Sequence, residues 1–202
     1  MKSVLISTRP QWVEKICRKI GEDETGKAIY EKRIEVRNTA PQEVPFKCYI
    51  YETKGQYVKF THGAHTKYGY GRGKVIGWFI CDKVDEYNFH NGLVAFNSMG
   101  LPSGFYGSYL IFEDDYESMC LSYDEVKNYG KGKTLYGWHI SDLKIYDRPK
   151  ELSEFSRPCS YSGLCFSCKR TSFKKDGNLL CNTKITRPPQ SWMHVEDLGE
   201  EK

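Results

Sequence analysis

Four cysteines in the last quarter of the chain have the spacing of a metal site. They follow the pattern Cys159-x5-Cys165-x2-Cys168-x12-Cys181, so that four thiols fall within 23 residues. A Cys-x2-Cys pair places two thiolates on one tight turn, and two outer cysteines can complete a tetrahedron around Zn²⁺. The surrounding segment is polar and rich in lysine, with too few apolar residues to order itself otherwise. We therefore predict a structural zinc knuckle over residues 156–183, with these four cysteines as its ligands.

Other arrangements of these cysteines stay open. Sulfur spacing alone does not distinguish Zn²⁺ from an iron-sulfur cluster. The same thiols also permit two local disulfides, or four reduced cysteines without a metal. A metal explains the crowding best in a reducing compartment.

A second group of chemically active side chains lies in the segment Glu31–Arg37, whose alternation of apolar and charged residues predicts a strand with one solvated face. Lys32 and Arg37 suit binding of a phosphate or a base, and Glu35 suits a general base or a hydrogen-bond acceptor. Lys32 and Glu35 form the candidate catalytic pair. Since side chains alternate along a strand, Glu35 and Arg37 are expected on one face and Lys32 on the other. A structural ion pair between Glu35 and Arg37 at a barrel end is an equal alternative.

Five further residues are candidates for ligand binding. Arg9 stands at a predicted helix start, where its guanidinium would face a ligand. Thr53 and Lys54 follow a predicted strand, a place where backbone and ammonium groups can meet an anion. Trp138 beside His139 suits base recognition, because the indole can stack on a base while the imidazole bonds its edge. The simpler alternatives are a surface pair for Arg9, a solvated Lys54 and a core position for Trp138.

The stretch from Lys54 to Gly73 mixes rings with cations, namely Tyr57, Phe60, Tyr68 and Tyr70 with Lys59, His62, His65, Lys67 and Arg72. Such a mixture suits a single-stranded nucleic acid, because rings stack on bases and cations follow phosphates. The pair His62 and His65 would suit a metal instead, although a metal-free loop is the simpler expectation. The pattern is too irregular for a strand, so a long loop is predicted. Residues 92–107 are similarly irregular and receive no element.

The composition is that of an ordinary globular protein. Of 202 residues, 39% are hydrophobic and 28% charged, and the abundance of Tyr (15) and Phe (10) favours short strands over a helical bundle. The net charge is +4, but residues 156–187 alone carry seven cations against one acid. No apolar run is long enough to cross a membrane and the first residues lack a secretory signal, so a cytoplasmic protein is expected. The other four cysteines are expected as buried free thiols: Cys17, Cys48, Cys81 and Cys120.

Hydrophobic patterns predict the elements that position these groups. After a strand over Ser3–Ser7, Thr8 caps a helix whose buried face is formed by Trp12, Val13, Ile16, Cys17 and Ile20. Further strands are expected over Phe46–Thr53, Lys74–Val84, Leu135–Tyr146 and Ser191–Val195, and Ser122 with Glu125 forms a capping box. The expected fold is mainly β with flanking helices (α+β). It comprises a small β-barrel over residues 1–155 and 184–196, the knuckle over 156–183 and an acidic tail over 197–202.

Several of these segments resemble the ASCH domain of bacterial and phage proteins, one of the PUA-like β-barrels. The likeness covers about three quarters of the chain, and it is carried by SVLISTRP (3–10), EKRIEVR (31–37), YIYETK (49–54), GKVIG (73–77), GWHIS (137–141) and RPPQSW (187–192). It implies a barrel that binds RNA or a modified base. One branch, the small bacterial N4-acetylcytidine amidohydrolases, has a catalytic Lys-x-x-Thr. Here Lys32 is present but Glu35 replaces the Thr, so that deamidating chemistry is not carried over.

These observations give three hypotheses for function. The first is a PUA-like ASCH barrel that binds RNA or a modified nucleotide in a cleft near Lys32, Glu35, Arg37, Lys54 and His139. The second is a nuclease or nucleoside-modifying hydrolase that uses Lys32 and Glu35 in the same cleft, since other family members have been linked to ribonuclease activity. The third is an adaptor whose zinc segment binds a protein. Zn²⁺ is the expected cofactor, and RNA or a nucleotide the expected partner.

Overall fold

The computed structural model describes residues 2–41, 43–62, 65–90, 93–99, 113–159, 171–173, 179–181 and 183–199. Its first half contains β1 (Lys2–Thr8), α1 (Pro10–Cys17), β2 (Lys19–Glu22), β3 (Ala28–Tyr30), β4 (Ile34–Arg37), β5 (Phe46–Glu52), β6 (Gly55–His62), β7 (His65–Gly71) and β8 (Val75–Cys81). There follow β9 (Val84–His90), β10 (Leu93–Met99), α2 (Glu113–Met119), α3 (Tyr123–Gly130), β11 (Leu135–His139), β12 (Ser141–Lys150), a 3-10 turn (Leu152–Glu154), β13 (Thr171–Phe173), β14 (Leu179–Cys181) and β15 (Trp192–Val195). The predicted class, mainly β with flanking helices, is confirmed.

Two sheets form the body of the fold. The larger has the strand order β12-β8-β5-β1-β15, and the smaller has the order β10-β9-β11-β4. Within the larger sheet, β1 and β5 run parallel, while the pairs β1 with β15, β5 with β8 and β8 with β12 are antiparallel. The parallel pair brings the carboxyl ends of β1 and β5 to the same edge of the sheet, just before α1 begins.

The central strands of the larger sheet are buried on both faces, because their residues alternate between two apolar clusters. One face packs with α1 and the smaller sheet in a core that includes Val4, Ile6, Val13, Ile16, Cys48, Ile50, Phe79, Val84 and Trp138. The other face packs on the turn after β12 through Leu5, Tyr49, Tyr51, Val75, Leu152, Phe155 and Ile185. A third cluster joins the smaller sheet to the helices α2 and α3 through Ile34, Val36, Tyr87, Met119, Val126 and Leu135.

Helix α1 is shorter than the sequence predicts. It ends at Cys17, and Ile20 lies in β2, where it is 56% exposed instead of buried on the helix. The competing interaction is a turn after β2 in which the Asp23 carboxylate accepts hydrogen bonds from the backbone N–H of Thr25 and of Lys27, each over 2.9 Å. This turn closes the β2 and β3 hairpin and ends the helix early.

The predicted loop over Lys54–Gly73 is instead the hairpin of β6 and β7, which pair in antiparallel register. The predicted strand Lys74–Val84 is two strands, because β8 ends at Cys81 and β9 begins at Val84. Predictions that rest on local patterns fare better. The strand β5 lies where expected, and Ser122 and Glu125 form the predicted capping box.

The basic cysteine segment is described at its two ends and in one small hairpin. Ser156 and Lys184 form an isolated β-bridge, and the backbone N–H of Arg157 donates to the Thr183 carbonyl over 2.8 Å. These contacts bring the two ends of the segment together. No helix in the described ranges is long and apolar enough to cross a membrane.

Candidate ligand-binding site

A pocket of about 580 Å³ opens where the parallel strands β1 and β5 end and α1 begins. The two strand ends are tied by a hydrogen bond from the backbone N–H of Thr53 to the Thr8 carbonyl, over 2.9 Å. The pocket therefore lies between two groups of elements. The ends of β1 and β5 and the start of α1 form one side, and β4 and α3 form the other. It is lined by Ser7, Thr8, Arg9, Trp12, Lys32, Glu35, Val36, Arg37, Thr53, Leu121, Glu125, Asn128, Tyr129 and Gln190.

Three charged side chains converge in the wall of the pocket. Glu35 accepts from Arg37 Nη2 at 2.7 Å through Oε1, and Lys32 Nζ lies 3.5 Å from the second carboxylate oxygen. Each of the three residues is at least nine-tenths buried. Two cations share one carboxylate, so this triad carries a net positive charge when all three groups are ionised.

Lys32 does not lie on the opposite face from Glu35, as strict strand alternation predicts. The strand β4 begins only at Ile34, so Lys32 belongs to the segment before it. There the backbone N–H of Lys32 donates to the Lys15 carbonyl over 3.2 Å, and that of Arg33 donates to Ser118 over 2.8 Å. These long-range bonds turn the chain and direct Lys32 towards the carboxylate. The strand also lacks the predicted solvated face, because its charged residues Glu35 and Arg37 are buried against the end of β1.

Arg37 is held mainly by backbone oxygens at the edge of the larger sheet. Its two terminal nitrogens each donate to the Ser7 carbonyl over 3.1 Å, and Nη2 also reaches Thr8 Oγ1 at 3.1 Å. Within the described residues, the buried Arg37 Nε has no hydrogen-bond acceptor. The guanidinium is thus fixed in place with one donor unused.

Lys32 is fixed by a different set of contacts. Its ammonium donates to the Met119 carbonyl over 2.7 Å and lies 5.4 Å from the centre of the Trp12 ring. Burial lowers the pKa of Lys32 below its ordinary value, while the neighbouring Glu35 carboxylate opposes that shift. The ammonium therefore releases its proton more readily than a solvated lysine does.

The mouth of the pocket combines a cation with aromatic surface. Arg9 is exposed and precedes α1, whose first turn has neither an acidic residue nor a side-chain cap. Trp12 on α1 and Tyr129 on α3 supply rings to the lining. Burial raises the pKa of the Tyr129 hydroxyl, and the nearby Arg37 partly opposes the shift. Anionic and flat groups suit these surroundings.

The structure brings together five of the site residues that the sequence suggests: Arg9, Lys32, Glu35, Arg37 and Thr53. The other three lie elsewhere. Lys54 is exposed and its side chain lies against Gly73. Trp138 is fully buried between Phe46 and Trp192, with ring centres 5.1 and 5.9 Å away.

His139 takes part in a separate ion-pair group. Its Nε2 lies 2.5 Å from the buried Asp85 carboxylate, which also pairs with Lys83 at 3.1 Å. None of these three residues lines the pocket. His139 therefore has a partner that accounts for its position within the sheet.

Sequence reasoning does not identify Trp12, Tyr129 or Gln190 as parts of the pocket. The helical pattern assigns Trp12 to the buried face of α1, which is correct in direction but does not reveal that this face borders a cavity. Tyr129 lies on a helix whose position depends on its packing against β4. No local signal could have located either ring.

The cysteines are described only in part. Cys159 is exposed, and Cys181 ends β14, where its backbone pairs with Thr171. Cys165 and Cys168 lie outside the described residues, as do the side chains of His62 and His65. Within the described part of the chain, no three His, Cys, Asp or Glu side chains group as a metal site. The zinc knuckle stays a prediction.

Comparisons with known proteins find similarity to solved structures at low sequence identity. No protein-family model matches the chain, and no curated protein matches it. A crystal structure of a mutant ASCH protein from Zymomonas mobilis has a TM-score of 0.49 and 14% sequence identity, over 97% of this chain and 91% of that chain. A crystal structure of ASCH from Zymomonas mobilis has a TM-score of 0.48 and 15% identity, over 96% of this chain and 88% of that chain.

Proposed function

We propose that the pocket binds one nucleotide of an RNA, or a modified nucleotide. The observation that carries the proposal is the buried triad, in which Lys32 and Arg37 outnumber Glu35 in the wall of a cavity. Buried charge that is not balanced within the protein favours a ligand of opposite sign. A phosphate group supplies that charge.

The size and lining of the pocket support a nucleotide over a bare anion. Its volume, about 580 Å³, lies within the range of small-molecule sites. Trp12 and Tyr129 line the pocket with aromatic surface, and Tyr129, which is half exposed, suits stacking of a base, while Arg9 at the mouth suits a phosphate. The segments that resemble an ASCH domain supply Arg9, the triad and Thr53, so the resemblance and the pocket coincide in the same residues.

Calorimetric titration with nucleoside monophosphates and with the matching nucleosides tests this proposal. The monophosphates should bind more tightly, and their affinity should fall as salt rises, because phosphate contacts release counterions. Arg9→Gln should weaken monophosphate binding several-fold without unfolding the protein, since Arg9 is exposed. Arg148→Gln, at an exposed position on β12 outside the pocket, is the matched control. Equal binding of nucleoside and monophosphate would reject the phosphate site.

A second candidate is a hydrolase, either a nuclease or a nucleoside-modifying enzyme. The observation that favours it is the position of Lys32, 3.5 Å from Glu35 in the pocket wall with a pKa that burial lowers, because a lysine that releases its proton more readily suits a general base. Labelled RNA and modified nucleosides should then be converted by the wild type. Glu35→Gln should lose this turnover while still binding the monophosphate. Turnover that survives in both Glu35→Gln and Lys32→Met would exclude the pair as catalytic.

A further inference from the structure

The hairpin of β6 and β7 has two faces of different character. One face lies on α1: the Tyr57 hydroxyl donates to Glu14 Oε2 over 2.7 Å, and the Tyr57 ring covers Gly69 so closely that a Cβ there would be 2.4 Å from it. Lys59 points to the same helix, with its ammonium 3.9 Å from Glu14. This face is therefore accounted for by its contact with α1.

The opposite face is uncovered. In the register of the hairpin Val58 lies opposite Tyr68, and Gln56 lies opposite Tyr70. Tyr68 and Tyr70 are two positions apart on one strand and so share a face. Val58 is 54% exposed, Tyr68 53% and Tyr70 72%. We call Val58, Tyr68 and Tyr70 the tyrosine face.

The hairpin that carries the tyrosine face ends beside the pocket. Gly71 ends β7, and a Cβ on it would be 1.9 Å from the Thr53 carbonyl oxygen and 2.7 Å from the Pro10 ring. Thr53 lines the pocket, and Pro10 follows Arg9 at its mouth. The backbone of Tyr70 therefore lies one residue from the pocket border, and its side chain projects from the other face of the strand.

Charge favours one class of occupant for this surface. Residues 53–74 contain five cations, Lys54, Lys59, Lys67, Arg72 and Lys74, and no acid. Glu14, Glu52 and Glu151 on neighbouring elements pair with Lys59, Arg72 and Lys74, and the five cations outnumber these three acids. Exposed rings beside cations suit a single-stranded nucleic acid, in which every base offers a face for stacking.

We propose that the tyrosine face stacks the bases that neighbour the nucleotide in the pocket, so that the ligand is a single-stranded RNA segment. The proposal rests on the function proposed above. Side chains two positions apart on a strand are about 7 Å apart, and stacked bases rise about 3.4 Å. One base therefore fits between the two rings.

The experiment compares two probes: a nucleoside monophosphate, and a fluorescently labelled RNA homopolymer about eight nucleotides long for each base. Tyr70→Leu with Tyr68→Leu should lower RNA affinity at least about fivefold and leave monophosphate affinity unchanged. The Phe variants at both positions should keep RNA affinity, because they keep the rings. Ile20→Ala, at another exposed apolar position, is the control for unspecific loss of surface.

The outcomes separate this proposal from the proposed function. If the double Leu variant binds RNA as the wild type does, the tyrosine face has no part in binding and the proposal is wrong, even when the monophosphate binds. If the Phe variants lose as much affinity as the Leu variants, stacking is not the cause. If no monophosphate binds to the wild type, it is the pocket assignment that fails. Melting temperatures of all variants, followed by circular dichroism, show whether the fold is retained.

Discussion

Arg37 Nη2 lies 2.7 Å from Glu35 Oε1 on the same strand, with both side chains buried. Lys32 reaches the other oxygen of that carboxylate at 3.5 Å. One anion thus compensates two cations that are each at least nine-tenths buried. Removal of one member from a buried ion pair is costly, because the charges that remain keep their desolvation penalty without its compensation. The Glu35 carboxylate is the member with two partners.

Glu35→Gln is therefore expected to destabilise the fold by about 3–5 kcal/mol. The amide keeps the shape of the side chain but leaves Lys32 and Arg37 without an anion. Urea denaturation at neutral pH measures the change in the free energy of unfolding. Glu22→Gln is the control, since Glu22 makes an exposed pair with Lys19 and should leave the unfolding midpoint unchanged. Equal midpoints for wild type and Glu35→Gln would contradict the proposed role of the carboxylate.

The lowered pKa of Lys32 predicts a particular dependence of stability on pH. In the folded protein, burial holds this pKa below the ordinary value of 10.5, against the opposing Glu35. Between the lowered pKa and 10.5 the unfolded chain binds more protons at this site than the folded chain, so folded stability rises with pH there. Lys32→Met should lack this rise. Urea denaturation of both proteins at several pH values up to 10.5 measures it, and parallel stability curves would count against a shifted Lys32.

Local patterns predict part of the fold and little of the site. The strand β5 follows from a short apolar run, and the capping box of α3 from the spacing of Ser122 and Glu125, both of which the sequence displays directly. The convergence of Lys32 with Glu35 depends on backbone hydrogen bonds from the segment before β4. These bonds reach Lys15 on α1 and Ser118 on α2, which are distant in sequence. Such bonds leave no trace in local periodicity.

The hairpin of β6 and β7 escapes sequence reasoning for a different reason. Neither of its faces is apolar in the ordinary alternating pattern, because glycines alternate with tyrosines along β7. Gly69 and Gly71 allow the Tyr57 ring and the Thr53 backbone to approach closely, so the strand is specified by small residues at contact points. A sequence with this much glycine ordinarily predicts a loop, so the strand β7 is missed.

Gly71→Ala should destabilise the protein because the new Cβ has no room. It would lie 1.9 Å from the Thr53 carbonyl oxygen, which belongs to backbone and cannot move aside alone. We expect a loss of at least about 1–3 kcal/mol, as for overpacked cores. Gly21→Ala is the matched control, since nothing lies within 4 Å of a Cβ there. Thermal unfolding of the two variants measures the contrast, and similar melting temperatures would show that the hairpin does not contact the strand end as described.

Asp197 holds the buried Lys47 near the carboxyl end of the chain. Its Oδ1 accepts from Lys47 Nζ at 3.0 Å and from the Tyr49 hydroxyl at 2.5 Å. Partial burial raises the pKa of Asp197, but the bonds from Tyr49 and Lys47 outweigh it and the pKa is lowered. A carboxylate with a lowered pKa stabilises the fold above its ordinary pKa of 3.8 and loses that effect as pH falls through the folded value.

Asp197→Asn should therefore lower the melting temperature at neutral pH, and the difference from wild type should shrink below pH 3.8. Asp147→Asn, at an exposed position on β12, is the control and should change little at any pH. Circular dichroism melts at neutral and acidic pH give both comparisons. A difference that stays constant with pH would mean that the amide acts through shape and not through lost charge.

The predicted zinc knuckle is tested by metal analysis. The bridge between Ser156 and Lys184 joins the two ends of the segment, and the four cysteines lie between these ends in the sequence. We expect about one zinc ion per purified chain, measured by inductively coupled plasma mass spectrometry. Cys168→Ser should lose it, and Cys17→Ser, in the unrelated helix α1, should retain it. Bound iron together with visible absorbance would indicate an iron-sulfur cluster instead of a zinc site. Thiolates bound to zinc react slowly with thiol reagents until a chelator removes the ion. Metal-free protein in which the four knuckle cysteines react at once would therefore reject a metal site.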